Sequence, residues 1–570
     1  MKSSELVRWM RHAFMVLAGV SAAFMASAAA PEDTLKTPQL IVVMSIDQFG
    51  AALFNQHRAS YRQGLLRLIE QGVVFPEAYQ SHAATETCPG HSTLLSGRHP
   101  SATGVVANHW RDRVTGAPVY CVYDVTHPVP GRPDSPRGPA HLKVSVFGEW
   151  LKQANPASRV FGISGKDRAA IAMTGHHPDG VFWWDDERGF TTSVPAGSDE
   201  RARLEGVSSF NRQLFDSWSK KTPTWDIADA KCLAHAETRQ YGALTIHHQV
   251  PPLNSPSSTG PFSLEHAPSV QRWLRASPVL DQATLDLAAE LITHYHLGQS
   301  TAPDLLTISL SATDYIGHRY GLQGPEMCDQ IAHLDQSIGH FMDVLKNLNV
   351  PTLLVMTADH GSVDAAEQVA EHAVPADRID LTALMGQLNS ELRKALRLDI
   401  DPIIGDGQQL YISPKIVLPT MRQRVSLLAT KALRQMPQVV AVFTSAQLAQ
   451  IQIPHDKPAN ELTLAERFAE SFDATRSGDL SVAYKAYASF GFPKSPGDAI
   501  AEHGSPWNYD RRVPLVFWWP GSTGFEQSLP VETVDIAPTL AALVGIKTPP
   551  VDGRCLELQG KISHRCLSTR

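Results

Sequence analysis

The sequence predicts an α/β protein whose central, mostly parallel sheet is flanked by helices. Three observations predict it: apolar runs of strand length, helix-like periodicity between the runs, and polar or ionisable residues directly after them. Four runs carry the pattern, and they span residues 40–46, 160–163, 305–310 and 353–356. Near-continuous apolar runs suit strands that are buried on both faces, as in a parallel sheet.

Helices are expected between these strands. Before the fourth run, apolar residues recur at spacings of three and four, which predicts a helix with one apolar face. These residues are Ile331, Leu334, Ile338, Phe341 and Leu345. Residues 513–519 predict a further strand near the C-terminus. Residues 535–538 (DIAP) then predict a short helix, because proline is favoured in a first turn.

A chain of 570 residues is too long for one ordinary hydrophobic core, so we expect one large α/β domain with insertions. We assign residues 36–170, 300–385 and 501–570 to the core, and residues 171–299 and 386–500 to two insertions. The second insertion has its own small α/β pattern, with a helix over 421–436 and a strand over 439–443. Each insertion either shapes access to a site at the sheet or is remote decoration.

Bulk composition excludes some classes of partner. The chain has 43% hydrophobic and 19% charged residues, as soluble globular proteins do. Its formal net charge of −7 predicts no electrostatic affinity for nucleic acid or anionic membranes. Composition leaves the oligomeric state open.

The N-terminal residues have the order of a secretory signal peptide. Three basic residues precede an apolar run over 13–25, and small residues follow at 26–28. We assign residues 1–28 to a signal peptide that is removed. The run is short for a membrane span, so an uncleaved anchor is the lesser alternative. The mature protein is expected in the periplasm or outside the cell, without stable membrane insertion.

Cysteine usage agrees with an oxidising compartment, because an even number of cysteines allows complete pairing. The six are Cys88, Cys121, Cys232, Cys328, Cys555 and Cys566. No C-x-x-C pattern occurs, which argues against a cysteine-ligated zinc site. Cys555 and Cys566 bracket a short C-terminal loop and are expected to form a local disulfide.

Carboxylates and histidines follow several of the predicted strands. Asp47 ends the first run, and Asp359-His360 follows the fourth. Asp314 and His318 are about one helical turn apart, so they can face the same way. Because the carboxyl ends of parallel strands meet at one edge of the sheet, these side chains are expected to lie together.

Together with a histidine before the last strand, the inventory fits two divalent cations. One ligand set is Asp314, His318 and His503, and the other is Asp47, Asp359 and His360. Each motif alone is weak evidence, and the prediction depends on their convergence. With nitrogen and carboxylate ligands and no thiolate, zinc is the first choice and manganese a lesser one.

Residues 85–92 (TETCPGHS) offer a nucleophile. Pro89 suits the first turn of a helix, which places Thr87 just before the helix N-terminus, where amides and the helix dipole favour an oxyanion or phosphate. A threonine hydroxyl is a poor nucleophile until a metal lowers its pKa. Alone, Thr87 would be an ordinary helix cap, so the prediction depends on the neighbouring metal ligands.

In combination these motifs resemble the alkaline phosphatase superfamily. The strand ending in Asp47, the TCPGH turn, Asp314-x-x-x-His318, Asp359-His360-Gly361 and the later His-Gly step occur in the order of the branch of type I phosphodiesterases and nucleotide pyrophosphatases. Residues 534–540 also resemble the end of that superfamily's core. Within the branch, the closest likeness is to bacterial alkaline phosphatases with a threonine nucleophile, and it covers residues 38–555.

The resemblance implies an alkaline-phosphatase-like core that hydrolyses small phosphate monoesters through a phosphothreonine intermediate at a two-zinc site. It implies that Thr87 is the nucleophile and contacts a zinc ion. The ligand set with Asp47 then lies on the nucleophile side, and the other set faces the leaving group. It also implies that Asn108 binds a non-bridging phosphate oxygen and that Lys166 and Arg168 match the basic pair of monoesterase members.

Three alternatives stay open. The nearest is a phosphodiesterase or nucleotide pyrophosphatase on the same scaffold, against which Lys166 and Arg168 argue. A sulfatase or metal-dependent phosphomutase is more distant, since no Cys/Ser-x-Pro-x-Arg sulfatase signature is found at the nucleophile. A non-catalytic, metal-stabilised binding protein would have no need for Thr87 beside a complete set of ligands.

Overall fold

The computed structural model describes residues 36–195, 197–252, 268–454, 456–558 and 566. The predicted signal peptide over 1–28 therefore lies outside the described residues. In chain order the described strands are β1 Leu40–Ile46, β2 Val73–Tyr79, β3 His109–Arg111, β4 Pro118–Tyr120, β5 Val160–Ser164, β6 Gly180–Asp185, β7 Gly189–Thr191, β8 Glu237–Tyr241, β9 Leu244–His248, β10 Asp304–Leu310, β11 Thr352–Thr357, β12 Arg378–Ile379, β13 Ile403–Asp406, β14 Gln409–Ile412, β15 Val439–Thr444, β16 Leu480–Tyr484, β17 Ser489–Phe490, β18 Arg512–Trp518, β19 Phe525–Glu526 and β20 Val531–Glu532.

Helices separate most of these strands. In the same described residues the α-helices are α1 Ala51–Gln56, α2 Gly64–Gln71, α3 Thr87–Ser96, α4 Pro100–Thr103, α5 Phe147–Ala154, α6 Asp167–Thr174, α7 Glu200–Lys220, α8 Pro268–Arg275, α9 Pro278–His294, α10 Ala312–Tyr320, α11 Pro325–Asn347, α12 Ala366–Glu371, α13 Leu381–Leu396, α14 Pro419–Gln435, α15 Ser445–Leu448, α16 Leu464–Glu470, α17 Asn508–Arg511 and α18 Ile536–Val544. The five apolar residues that predict a helix before the fourth run form the buried face of α11. This face packs against α2 and α9.

The central sheet has ten described strands in the order β19-β2-β18-β11-β1-β10-β5-β6-β7, with β20 also paired to β2. The strands from β11 through β1, β10 and β5 to β6 run parallel. The four predicted runs form β1, β5, β10 and β11, in which every residue is buried. The predicted fold class, an α/β protein with a mostly parallel sheet, is confirmed.

Strand direction explains why the predicted site residues meet at one edge. Asp47 follows β1, and the parallel strands β10 and β11 lead to Asp314 and Asp359 at the same edge. β18 is antiparallel to β11, so the loop before it, which holds His503, also lies there. β2 is antiparallel to β18 and hence parallel to β11, so its carboxyl end leads to Thr87.

The central sheet extends into the segment predicted as the first insertion. β6 pairs parallel with β5, and β7 pairs antiparallel with β6, so residues 180–191 are part of the sheet. The predicted core boundary at residue 170 falls short of these strands. The segment's richness in tryptophan suggested an insertion, but Trp184 is a buried sheet residue that contacts Phe190 and Trp218 of α7.

Residues 386–500 contain a second, smaller sheet with the order β13-β14-β16-β15. The helix predicted over 421–436 is α14, and the strand predicted over 439–443 is β15. Leu388 and Leu392 of α13 and Val425 and Leu433 of α14 are buried in one apolar cluster with strands of this sheet.

Three disulfides join the six cysteines: Cys88–Cys121, Cys232–Cys328 and Cys555–Cys566. The last pair is the local disulfide that the sequence predicts. Within the described residues, no helix combines the length and apolar character needed to cross a membrane.

Candidate active site

The helix that follows β2 begins at Thr87 itself. Pro89 lies in the first turn of α3, as predicted, and Thr87 is 1% exposed. Gly90 is required in this turn, because a Cβ there would lie 2.1 Å from the carbonyl oxygen of Asp359. The helix N-terminus is thus packed directly against the end of β11.

The first predicted ligand set is arranged around one carboxylate oxygen. Oδ1 of Asp314 lies 3.3 Å from Nε2 of His318 and 3.4 Å from Nε2 of His503. Asp314 and His318 are one turn apart on α10, as their spacing predicts. His503 comes from the loop before β18.

The second predicted ligand set is fully buried. Nε2 of His360 lies 3.4 Å from Oδ1 of Asp47 and 3.4 Å from Oδ2 of Asp359. The rings of His360 and His503 stack with centroids 3.7 Å apart, so the two sets form one continuous cluster.

Main-chain hydrogen bonds orient all three histidines in the same way. In each ring Nδ1 faces a main-chain carbonyl oxygen at about hydrogen-bond distance: His318 at 2.9 Å from Ala501, His360 at 3.0 Å from Gly361, and His503 at 2.9 Å from Thr85. When Nδ1–H donates to that carbonyl, Nε2 is left as the acceptor and points at the aspartates. This is the ring orientation that protein ligands to metal ions use.

Unpaired buried atoms show that the cluster fits bound cations. Apart from the ion pairs, both carboxylate oxygens of Asp47, Oδ1 of Asp314, Oδ2 of Asp359 and Nε2 of His360 have no hydrogen-bond partner among the described residues. Buried polar atoms normally have partners. The ligand atoms of Asp47, Asp359 and His360 lie within 4.8 Å of one another, and so do those of Asp314, His360 and His503.

The pKa values of the aspartates and of His360 also indicate that the cluster is suited to bind positive charge. Burial, and then repulsion by Asp314 and Asp359, raises the pKa of Asp47 to about 7. Burial opposes ionisation of Asp314 as well, but Lys166 and the histidines beside Asp314 hold the pKa of this carboxyl well below the usual range. Burial lowers the pKa of His360 to about 3, so this ring is neutral, as a ligand must be.

Lys166 bridges the two ligand sets. It follows β5, is 3% exposed, and its Nζ lies 2.6 Å from Oδ2 of Asp47 and 2.5 Å from Oδ2 of Asp314. Burial alone would lower the pKa of Lys166, but the two carboxylates outweigh it and raise the pKa above its ordinary value. The ammonium therefore stays charged.

Arg168 and Asn108 lie beside Thr87. Nη2 of Arg168 donates to Oγ1 of Thr87 over 3.3 Å, and its Nε has no hydrogen-bond partner in the described part of the chain. Oδ1 of Asn108 accepts from the main-chain N–H of Cys88 at 2.8 Å. The amide NH₂ is then the group that Asn108 can offer to an anion.

A cleft of about 540 Å³ leads to this cluster. Its lining includes Asn108, Arg168 and His503, and also residues 407–409 and Tyr411 of the second predicted insertion. The volume is typical of sites that bind small molecules.

His91 is a site residue that the sequence did not single out. Its Nδ1 lies 3.1 Å from Oδ2 of Asp359 and 2.9 Å from the carbonyl oxygen of Thr87, and its Nε2 lies 3.0 Å from Oγ of Ser309. The signal was available in the TCPGH turn, because His91 comes four residues after Thr87 and so lies one helical turn away.

A separate buried cluster contains His99, Glu470 and Glu532. Nδ1 of His99 lies 3.7 Å from Glu470, whereas its Nε2 lies 3.6 Å from Glu532. Burial opposes a charged ring, but the two carboxylates raise the pKa of His99. Because they face opposite nitrogens, this is the arrangement of an imidazolium held between carboxylates.

Fold and cluster together define a member of the alkaline phosphatase superfamily. Residues 41–506 match the family model described as type I phosphodiesterase / nucleotide pyrophosphatase. The chain belongs to this family, and the resemblance carried by the motifs is confirmed.

Relatives in the family are similar over nearly the whole chain. Alkaline phosphatase PhoD of Zymomonas mobilis subsp. mobilis is 39% identical over 556 residues, which cover 94% of this chain and 92% of that protein. Alkaline phosphatase PhoK of Sphingomonas sp. is 38% identical over 538 residues, with 93% and 92% covered. The crystal structure of wild-type alkaline phosphatase PafA shares the fold, with a TM-score of 0.78, 24% identity, and 91% and 98% of the two chains covered.

Proposed function

We propose that this protein is an alkaline phosphatase that hydrolyses small phosphate monoesters through a covalent phosphothreonine intermediate on Thr87. The observation that carries the proposal is the meeting, at one sheet edge, of a buried hydroxyl, six histidine and aspartate side chains that can bind cations, and the Arg168 guanidinium, whose Nε has no hydrogen-bond partner among the described residues. Two relatives named alkaline phosphatase, similar over more than nine-tenths of the chain, support the same activity.

Two zinc ions are the proposed cofactors. Asp47, Asp359 and His360 would hold one, together with Thr87 on the nucleophile side. The set of Asp314, His318 and His503 would hold the other. Bound divalent cations at such ligands lower the pKa of a hydroxyl or water and stabilise negative charge on phosphoryl oxygens.

The side chains of the protein supply the rest of the reaction. The Thr87 hydroxyl gives up its proton as Oγ1 attacks phosphorus in line with the leaving group, so the Oγ1–P bond forms as the ester P–O bond breaks. The leaving oxygen takes up a proton and departs as the alcohol. Water then attacks the phosphothreonine, which restores the Thr87 hydroxyl and releases inorganic phosphate. The N-terminal amides of α3, the amide of Asn108 and the guanidinium of Arg168 meet the phosphoryl oxygens, where charge stabilisation counts most.

Choice of monoesters follows from the two basic residues. A monoester brings a dianionic phosphoryl group, whereas a diester has one charge fewer. Arg168 offers a planar fork that can hold two oxygens, and its Nε has no other hydrogen-bond partner in the described part of the chain. Lys166 adds a compact positive charge between the ligand sets. A diester would place an organic group beside these cations and leave them poorly paired.

We propose that the protein is exported to the periplasm or beyond. Residues 1–28 have the order of a signal peptide. All six cysteines form disulfides, and disulfides form and persist in oxidising compartments such as the periplasm.

The test compares an aryl phosphate monoester with the matching diester on the purified protein. We expect the monoester to react faster, and replacing both Lys166 and Arg168 by alanine to lower its kcat/KM by about 10² or more while changing the diester rate far less. Arg132→Ala is the matched control, since the ion-pair partners of Arg132 among the described residues are Asp185 and Glu187, neither of which is a predicted site residue. A faster diester, or equal losses on both substrates, would favour the phosphodiesterase alternative.

A further inference from the structure

The β3–β4 hairpin is fastened to the turn that holds the nucleophile. A disulfide joins Cys88, the residue after Thr87, to Cys121, the residue after β4. The main-chain N–H of Cys121 donates to the carbonyl oxygen of Asn108 at 3.0 Å. The main-chain N–H of Asn108 donates to Oε2 of Glu86 at 2.7 Å. Both ends of the hairpin are therefore held at the first turn of α3.

At this same end of the hairpin, Tyr120 and the nearby Arg137 bind a carboxylate. The hydroxyl of Tyr120 donates to Oδ1 of Asp167 over 2.6 Å, and Nε of Arg137 donates to Oδ2 over 2.6 Å. The guanidinium of Arg137 also lies over the Tyr120 ring, 4.8 Å from its centroid. Burial and the charge of Asp167 raise the pKa of Tyr120, so its hydroxyl stays a donor.

Asp167 is the first residue of α6, and Arg168 is the second. Oδ1 of Asp167 accepts the main-chain N–H of Arg168 at 2.7 Å. The guanidinium of Arg168 then reaches Oγ1 of Thr87. The contacts thus form a closed circuit from Thr87 through the disulfide and the hairpin to Asp167, and back through Arg168.

We propose that Asp167 is a positioning residue that fixes Arg168 against the nucleophile, with Tyr120 as the residue that holds Asp167 in place. Both oxygens of Asp167 are bound by Tyr120 and Arg137, so it acts on the substrate through Arg168. The inference rests on the proposed function, because it states how Arg168 is kept ready for the charge of a phosphate monoester. Small displacements of a substrate-binding group are costly to catalysis.

The test is a double-mutant cycle on the full chain, with monoester and diester as substrates. Asp167→Asn keeps the shape of the side chain and weakens its grip on Tyr120 and Arg137. It should lower monoester kcat/KM about tenfold. In an Arg168→Ala background, Asp167→Asn should lower monoester kcat/KM by less than about twofold, because the two residues act as one unit. Diester turnover should change little in either background.

Two further variants separate positioning from general stability. Tyr120→Phe removes the hydrogen bond to Asp167 and the electrostatic contact with Arg168, so it should lower the ratio of monoester to diester activity in the same direction, and it replaces Asp167→Asn if that variant does not fold. Asp185→Asn is the matched control, since its carboxylate binds Arg132 and the main chain of Glu187, and its ratio should be unchanged.

The outcomes distinguish this inference from the proposed function. If Arg168→Ala lowers the monoester to diester ratio and Asp167→Asn does not, the positioning role is wrong and the proposed function stands. If Asp167→Asn lowers monoester kcat/KM as much in the Arg168→Ala background as in the wild type, Asp167 acts independently of Arg168 and the positioning role is wrong. If Arg168→Ala itself leaves the ratio of monoester to diester activity unchanged, the selection of monoesters in the proposed function is contradicted, whatever the role of Asp167.

Discussion

Nη2 of Arg168 lies 3.3 Å from Oγ1 of Thr87. Its neighbour in the sequence motif, Lys166, instead contacts the carboxylates of Asp47 and Asp314. The two basic residues of the Gly-Lys-Asp-Arg segment therefore serve different parts of the site. One faces the nucleophile, and the other balances the charge of the ligand sets.

This difference predicts that substitutions of the two residues affect metal binding differently. Lys166→Met removes a cation that competes with metal ions for two carboxylates, so it should raise metal affinity about tenfold or more. Arg168→Met should leave metal affinity unchanged. The rate of zinc loss to a chelator, measured for both variants and the wild type, checks this. Faster zinc loss from Lys166→Met would show that the ammonium supports the metal ligands.

Metal removal should affect activity and stability together. The cluster holds three buried carboxylates with oxygens that have no hydrogen-bond partner in the described part of the chain, so exhaustive chelation should abolish turnover and also lower the unfolding temperature. His360→Ala should lose activity much more than fold, because packing elsewhere is untouched. Metal analysis should give close to two zinc ions per chain. Full activity after chelation would rule out the two-metal account.

The disulfides should separate stability from catalysis. Replacing either Cys88 and Cys121 or Cys232 and Cys328 by alanine should lower the free energy of unfolding by about 2–4 kcal/mol. The first pair adjoins Thr87 and the hairpin of Asn108, so its loss should also lower kcat. The second pair ties α11 to residues 230–235 and should leave kcat unchanged. Denaturation curves and kcat for both double variants check this, and equal kcat values would contradict it.

Gly90 should be intolerant of a side chain. A Cβ there would meet the carbonyl oxygen of Asp359 at 2.1 Å, so Gly90→Ala must shift α3 away from β11, at a cost of about 1–3 kcal/mol and most of the activity. Gly386→Ala is the matched control, because among the described residues no atom beyond its own stretch of helix backbone lies within 4 Å of its Cβ position on the exposed side of α13. That change should stabilise the protein by about 0.5–1 kcal/mol.

Much of the site could be predicted because many of its residues directly follow the carboxyl ends of strands. Asp47 and Asp359 follow apolar runs that are unmistakable as buried strands, and a parallel sheet brings such residues to one edge. The pairing of Cys88 with Cys121 could not be read from spacing, since it depends on where a hairpin folds back. β6 was missed because its aromatic residues resemble an irregular segment when their burial against α7 is unknown.

Substitutions of Thr87 test the proposed nucleophile. Thr87→Ala should abolish turnover while leaving zinc binding largely intact, because the aspartate and histidine ligands remain. Thr87→Ser should keep substantial activity, since a primary hydroxyl can be activated in the same way. Steady-state rates and metal content of both variants check this, and turnover by Thr87→Ala near the wild-type rate would contradict it.

Acid trapping of the covalent intermediate tests the central claim most directly. The protein is mixed with a phosphate monoester labelled in the phosphoryl group, quenched in acid and digested, and the labelled residue is located. The account predicts phosphothreonine at Thr87 in the wild type and no label in Thr87→Ala. Label at Thr85 or Ser92, or turnover without any covalent label, would contradict it.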